Sequence, residues 1–285
     1  MPLLKKSIHQ ELQYLNLICR ILTNGHLEKS RNGKVYTLIG EQMRFSLENH
    51  TIPLLTTKKL AWKTCLKELL WFISGKTDNA ILQRQGVKIW NKNANDQNDL
   101  GPIYGHQWRH FNATYSQCID DYTNKGVDQL QNIIDSLKNE NERFSRRLIL
   151  NAWNPCQLHE MALPPCHILS QFIVTNTNEL SCVLYQRSGD IGLGIPFNIA
   201  SYSFLTHLLA KHCDLKPKEF IHFIGNAHIY DDHRRPLEKQ INRIPHEFPT
   251  LCINTKRKSI NDYILSDFQI NNYDYHLPIK MDMRV

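Results

Sequence analysis

A chain of 285 residues is long enough to bury a substantial core in one large domain or two modest ones, with no external staple. The opening MPLLKKSIHQ lacks the apolar stretch of a secretory signal, and no later segment approaches the roughly 20 apolar residues of a membrane span, so a cytoplasmic protein is expected. The net charge of +7 is spread along the chain, which suits an anionic small molecule as well as a nucleic acid, but neither a compact basic motif nor zinc spacing is present.

In chain order, residues 8 to 24 place Leu12, Leu15, Ile18, Cys19 and Leu22 at three- and four-residue intervals, a helical stripe closed by Asn24-Gly25. The run GKVYTLIGEQMRFSL (33 to 47) alternates with period two and predicts a strand pair. From Lys58 to Ile73, Trp62, Cys65, Leu66, Leu69, Leu70 and Ile73 share one helical face, and Glu68 belongs to the same helix. A second amphipathic helix spans 127 to 139, with Val127, Leu130, Ile134 and Leu137 inward. Strand-like runs follow at 147 to 152, 170 to 174 and 180 to 187, and a long helix at 198 to 213 covers them. With no repeat, low-complexity tract or flexible linker, the chain reads as a single α+β domain over 1–285, a mixed β-sheet covered by helices.

The eight cysteines are evenly spread without a C-x-x-C pair, so they read as reduced thiols, most of them small buried hydrophobes. Cys166, set in LPPCHILSQF between two prolines and a histidine, is the one that invites a different role. A thiol becomes a nucleophile when nearby positive charge stabilises its thiolate. His167 is adjacent, but neighbouring side chains on a strand point to opposite faces, which argues against a Cys-His dyad. The segment YQRSGDIGLGIPFNIASY (185 to 202) gathers Arg187, Ser188, Asp190 and Asn198 where a strand runs through a loop into a helix. Arg187 and Ser188 are suited to a phosphate, and Asn198 offers one donor and one acceptor together, matching the edge of an amide or a pyrimidine. Arg146 and Arg147 stand side by side before a strand and cannot easily aim at one point in their own subunit. His228 and Tyr230 are two apart, on one face if extended, and no further ligand falls at a spacing that would make them a metal site.

The stretches PLLTTKK, ELLWFI, DLGPIYGHQWRHF, SRRLIL, AWNP, MALPPCH, YQRSGDIGLGIPFNIASY and HIY together resemble the thymidylate synthase family, in its order and spacing, from about residue 11 to the end. The resemblance is to the eukaryotic or large-DNA-virus kind, and the start at Met1 fits a free-standing enzyme. It implies reductive methylation of dUMP to dTMP, with 5,10-methylenetetrahydrofolate as co-substrate giving both carbon and hydride, and with no metal. Cys166 would add to C6 of uracil, and Arg187 would favour its thiolate. Arg31, Arg187 and Ser188 would hold the phosphate with Arg146 and Arg147 of a partner subunit, a sheet face forming the homodimer interface. Asn198 would read the uracil edge, and His228 and Tyr230 the 3'-hydroxyl; Glu68 and Tyr104 match the proton network. Ile89, Trp90, Leu193, Gly194 and Phe197 would form the folate slot, with Asp190 on the pterin and Val285 folding over the filled site.

The chain departs from the family pattern at five places: the Arg31 loop is one residue short and lacks the usual Thr-Gly run, Asn226 and Asn91 stand where aspartates are usual, Arg284 where a small residue is common, and the segment 91 to 100 is shorter than in eukaryotic members. Two other functions share the resemblance. A dUMP hydroxymethylase would follow the same steps and then add water, and a catalytically weak homologue would bind nucleic acid through its positive charge.

Overall fold

The computed structural model describes residues 8–284. Its first helix, α1 (Leu12–Asn24), buries Tyr14, Leu15, Leu17, Ile18 and Ile21. It starts at Leu12 rather than residue 8, preceded by turn bonds from the Leu12 and Gln13 N–H groups to the His9 and Gln10 carbonyls, and the carboxylate of Glu11 accepts hydrogen bonds from the N–H and hydroxyl of both Thr56 and Thr57. A hairpin follows, β1 (His26–Ser30) and β2 (Gly33–Ser46). The expected strand pair within 33–47 is therefore one 14-residue strand. It keeps the period-two pattern, and its partner precedes it across the Arg31-Asn32 turn.

The next segment is helical: α2 (Trp62–Ile73), α3 (Asn79–Arg84), α4 (Tyr104–His110) and α5 (Gln129–Lys138). Val127 lies just before α5, half exposed, in a bridge to Phe111 rather than on the helix's inner stripe. The strands β3 (Ile149–Asn151), β4 (His167–Val174) and β5 (Glu179–Asp190) then lead into α6 (Gly194–His212) and the 15-residue β6 (Lys216–Tyr230). A short α7 (Arg234–Gln240) and a two-stranded ribbon of β7 (Thr250–Ile253) and β8 (Phe268–Asn271) complete the order.

The main sheet runs β1-β2-β6-β5-β4-β3 and is mixed: β5 and β6 are parallel, while the other neighbours are antiparallel. Parallel neighbours need a crossover, and α6 supplies it. α6 is buried on nearly every side, polar Ser203, Thr206 and His207 included, and it begins at Gly194, four residues before the stripe that announced it. Strand alternation sends Phe172, Leu184, Phe220 and His222 to the α6 side, each 0% exposed. The opposite face carries Ile173, Tyr185 and Phe223, 40%, 43% and 40% exposed.

All eight cysteines are free thiols, but only Cys65, Cys182 and Cys213 are buried. The expectation that most would be core hydrophobes fails for Cys156 and Cys252, which are exposed, and for Cys19, Cys118 and Cys166, which are half-buried. Small size lets a thiol sit at an edge at little cost. Among the described residues, no helix is long and apolar enough to cross a membrane.

Candidate active site

Pro164 and Pro165 cannot donate to a sheet ladder, so β4 begins after them and Cys166 is left at its mouth. The Cys166 backbone is pinned on two sides: its N–H donates to the Tyr104 hydroxyl at 2.8 Å, and its carbonyl accepts from the Arg187 N–H at 2.9 Å. The Arg187 side chain brackets the same turn, donating from Nε to the Pro165 carbonyl at 2.8 Å and from Nη2 to the Pro164 carbonyl at 2.9 Å. Its guanidinium lies 5.6 Å from the centre of the Trp153 ring. Burial pushes the Cys166 thiol above its ordinary pKa, and the Arg187 charge acts in the opposite direction, toward the thiolate.

His167 is not a base for Cys166. Its Nε2 accepts from the Asn198 amide at 2.7 Å, and its ring rests 4.9 Å from that of Tyr104. Burial lowers its pKa to about 4, so it is neutral at physiological pH. Asn198, on the first turn of α6, also accepts at Oδ1 from Gln186 Nε2 at 3.0 Å. Beside Cys166, Tyr104 packs against Phe72 and Trp90 and is held above its ordinary pKa by burial. Trp90 in turn donates its indole N–H to Glu68 at 2.7 Å. Burial raises the Glu68 carboxyl to about 7, with the Trp90 bond opposing.

At the far end of β5, the register sets Ser188 opposite Asn226 and Asp190 opposite His228. The His228 and Tyr230 rings meet edge-on at 5.4 Å. Asn226 accepts from His228 Nδ1 at 3.0 Å, so the amide that replaces the usual aspartate still orients that ring. Asn91, the other such replacement, accepts from the Asn79 and Gln83 side-chain amides at 3.1 and 3.2 Å. Arg31 is exposed on the β1–β2 turn, donating to Asn32 at 3.1 Å, and Val35 of that hairpin pairs with Tyr230.

Asp190 accepts from the Gly192 N–H at 2.8 Å and lies 3.7 Å from His233. Lys58, buried beneath this loop, donates to the Gly192 carbonyl; burial lowers its pKa to about 8, against the pull of Asp190 and Glu11. Ile89, Leu163, Phe197 and Met281, partly buried, pack against the core, and Trp90 is 8% exposed. Leu193 and Gly194 stand at the start of α6, Gly194 against the Asp190 side chain, and an opening of this kind next to a carboxylate fits a flat heteroaromatic ring with donors on one edge. The C-terminal tail lies over this region. His233 Nε2 donates to the Asp282 carbonyl at 2.8 Å, and Arg284 pairs with Asp232 at 2.7 Å and sits 6.0 Å from the Tyr230 ring centre. Val285 lies outside the described residues.

The structure thus brings Cys166, Tyr104, Glu68, Trp90, Arg187, Asn198, Ser188, Asp190, His228 and Tyr230 into one region around the ends of β4, β5 and β6. It leaves Arg146 and Arg147 outside, exposed ahead of β3. Sequence reasoning passed over Trp153, Lys58, Gln186, His222 and His233. Gln186 had a usable signal, since alternation from Arg187 and Ser188 puts it on the helix-facing side; the others are joined only by tertiary contact.

The thymidylate synthase family model matches residues 12–285. A bifunctional dihydrofolate reductase-thymidylate synthase of Zea mays is 49% identical over 298 residues, covering 100% of this chain and 56% of that protein. The corresponding proteins of Plasmodium chabaudi (49% identical, 98% of this chain, 50% of that protein) and Leishmania amazonensis (48%, 97% and 56%) are similarly close. The chain spans about half the length of these relatives. With a family match over nearly all of its length and relatives close to half identical, the chain belongs to the thymidylate synthase family.

Proposed function

We propose that the chain methylates dUMP to dTMP. The observation that carries this reading is the convergence of Cys166, Arg187 and Asn198 at one sheet end in a chain of this family. Cys166 is the nucleophile: its thiolate forms a bond to C6 of uracil, the C5–C6 electron pair moves toward C5 and O4, and C5 becomes a carbon nucleophile. Arg187 opposes the burial that would keep the thiol protonated, and Ser188 and Arg31 meet the phosphate with it.

Asn198 offers a donor to O4 and an acceptor to N3–H, and cytosine presents the reverse pattern. His228 and Tyr230 bond the ribose 3'-hydroxyl. Glu68 and Tyr104 handle protons beside the ring; a carboxyl poised at about 7 is suited to giving or taking one near neutral pH. When bound, 5,10-methylenetetrahydrofolate supplies the one-carbon unit and the hydride. Ile89, Trp90, Leu193, Gly194 and Phe197 hold its ring system, Asp190 accepts from the pterin, and the tail ending at Val285 keeps water out.

The active form is a homodimer. The exposed Ile173, Tyr185 and Phe223 supply an apolar sheet face for a second copy, and Arg146 and Arg147 complete the partner's phosphate site. Purified protein given dUMP and methylenetetrahydrofolate is expected to show a dUMP-dependent rise in dihydrofolate absorbance, with no rise on dCMP. Absence of that rise, or a hydroxymethyl product in its place, would overturn the reading.

A further inference from the structure

On β6, alternation places Phe220, His222 and Ile224 on the α6 side of the sheet, and His222 is 0% exposed. An imidazole buried among apolar groups is costly unless it is bonded. Among the described residues His222 makes one such bond: Nε2 donates to Gln186 Oε1 at 2.8 Å, while Nδ1 is buried without a partner there. The amide of Gln186 then has only one orientation open to it. With Oε1 turned to His222, its Nε2 donates both to the Ser188 carbonyl at 2.8 Å and to Asn198 Oδ1 at 3.0 Å. Asn198 is oriented in turn, its Nδ2 donating to His167 Nε2 at 2.7 Å.

The relay is directional from end to end. Were the His222 Nε2 an acceptor, Gln186 would have to reverse, its carbonyl would face both the Ser188 carbonyl and Asn198, and Asn198 would turn its donor where its acceptor now lies. The reversed Asn198 would present an edge complementary to cytosine. Burial, with a lesser contribution from His167, holds the His222 pKa at about 3, so the ring carries a single proton near neutral pH.

We propose that His222 is a specificity-determining positioning residue: by donating to Gln186 Oε1 it holds, together with the Ser188 carbonyl that accepts from Gln186 Nε2, the polarity of a buried amide relay and so the edge that Asn198 turns to the pyrimidine. The inference rests on the dUMP reading above and adds to it a residue that touches neither substrate nor Cys166.

The test is the affinity of the full-length protein for dUMP and dCMP, measured separately by calorimetry, in the parent, in His222→Phe and in His222→Gln. Phe keeps the volume and removes the donor; Gln restores an N–H. Discrimination between dUMP and dCMP is expected to fall about tenfold in His222→Phe, the effect of one misdirected hydrogen bond, and to be largely recovered in His222→Gln. Equal weakening of both ligands, or an unchanged ratio, overturns the role. If His222→Phe does not fold, Gln186→Met cuts the same relay and is expected to lose the same discrimination; an unchanged ratio there overturns the proposal equally. A parent protein without dUMP affinity would defeat the dUMP reading, and this inference with it. A selective parent with an unchanged His222→Phe ratio would defeat this inference alone.

Discussion

The two faces of the central sheet differ in completeness. On the α6 side, Phe172, Leu184, Phe220 and His222 are sealed by the chain's own helix, and the polar groups among them are joined in the relay that ends at Asn198. On the other side, Ile173, Tyr185 and Phe223 are left 40 to 43% exposed, and Arg146 and Arg147 are exposed ahead of β3. On the proposed reading, the half of the site that reads the pyrimidine is built within one chain, whereas the phosphate half is only begun there. Arg187 joins the two: it lies on the open face by alternation, but its side chain bends back to brace the Cys166 turn.

Predictions that break one face while sparing the other follow from this contrast. Cys166→Ala removes the nucleophile and is expected to lower turnover by more than about 10^4-fold while dUMP binding and the dimer persist. Turnover within tenfold of the parent would refute the assignment. Next in size, Phe223→Glu places a charge on the open face without touching Cys166 or Asn198. It should shift the mass in sedimentation toward the monomer and lower activity by roughly two orders of magnitude, as loss of a central interface anchor does. An active monomer would show that the face is merely surface.

Glu68→Gln sharpens the contrast from the closed side, because the Glu68 carboxyl rises from 4.5 to about 7 on folding through burial. Below the unfolded value, the group is neutral in both states and costs nothing. Between 4.5 and about 7 the unfolded chain ionises first, so stability is lost as pH rises through that window, and the loss is complete above it. Urea midpoints of parent and Glu68→Gln should therefore separate as pH climbs from about 4.5 to about 7, the variant being the more stable at the upper end. Parallel curves would mean that Glu68 is solvated rather than desolvated.

Periodicity made the helices α1, α2 and α5 legible in the sequence, along with β2, β3, β4 and β5, because one face of each is packed on the core; α6 was legible as a long, mostly apolar run, since it is buried on nearly every side. It did not reveal β6, whose KPKEFIHFIGNAHIY run mixes lysine, glutamate, histidine and asparagine with its apolar residues. Those polar residues make sense only once β2 and β5 lie on either side. The short α3, α4 and α7 were missed because six or seven residues are too few to display a stripe. Within the site, Cys166, Arg187, Ser188, Asp190 and Asn198 were legible because they sit in two short segments with distinctive chemistry. His222 was not, because an isolated histidine in an apolar strand carries no hint of the glutamine it bonds 36 positions away.

The central claim, that one chain's arginines complete another chain's site, is tested most directly by mixing two inactive variants. Cys166→Ala supplies intact arginines without a nucleophile, and Arg147→Ala supplies a nucleophile without its partner's arginine. After unfolding and refolding together, heterodimers should carry one intact site and recover measurable dihydrofolate production, approaching a quarter of parental activity at random pairing. Activity no greater than the sum of the separate variants, with heterodimers shown to have formed, would contradict the account.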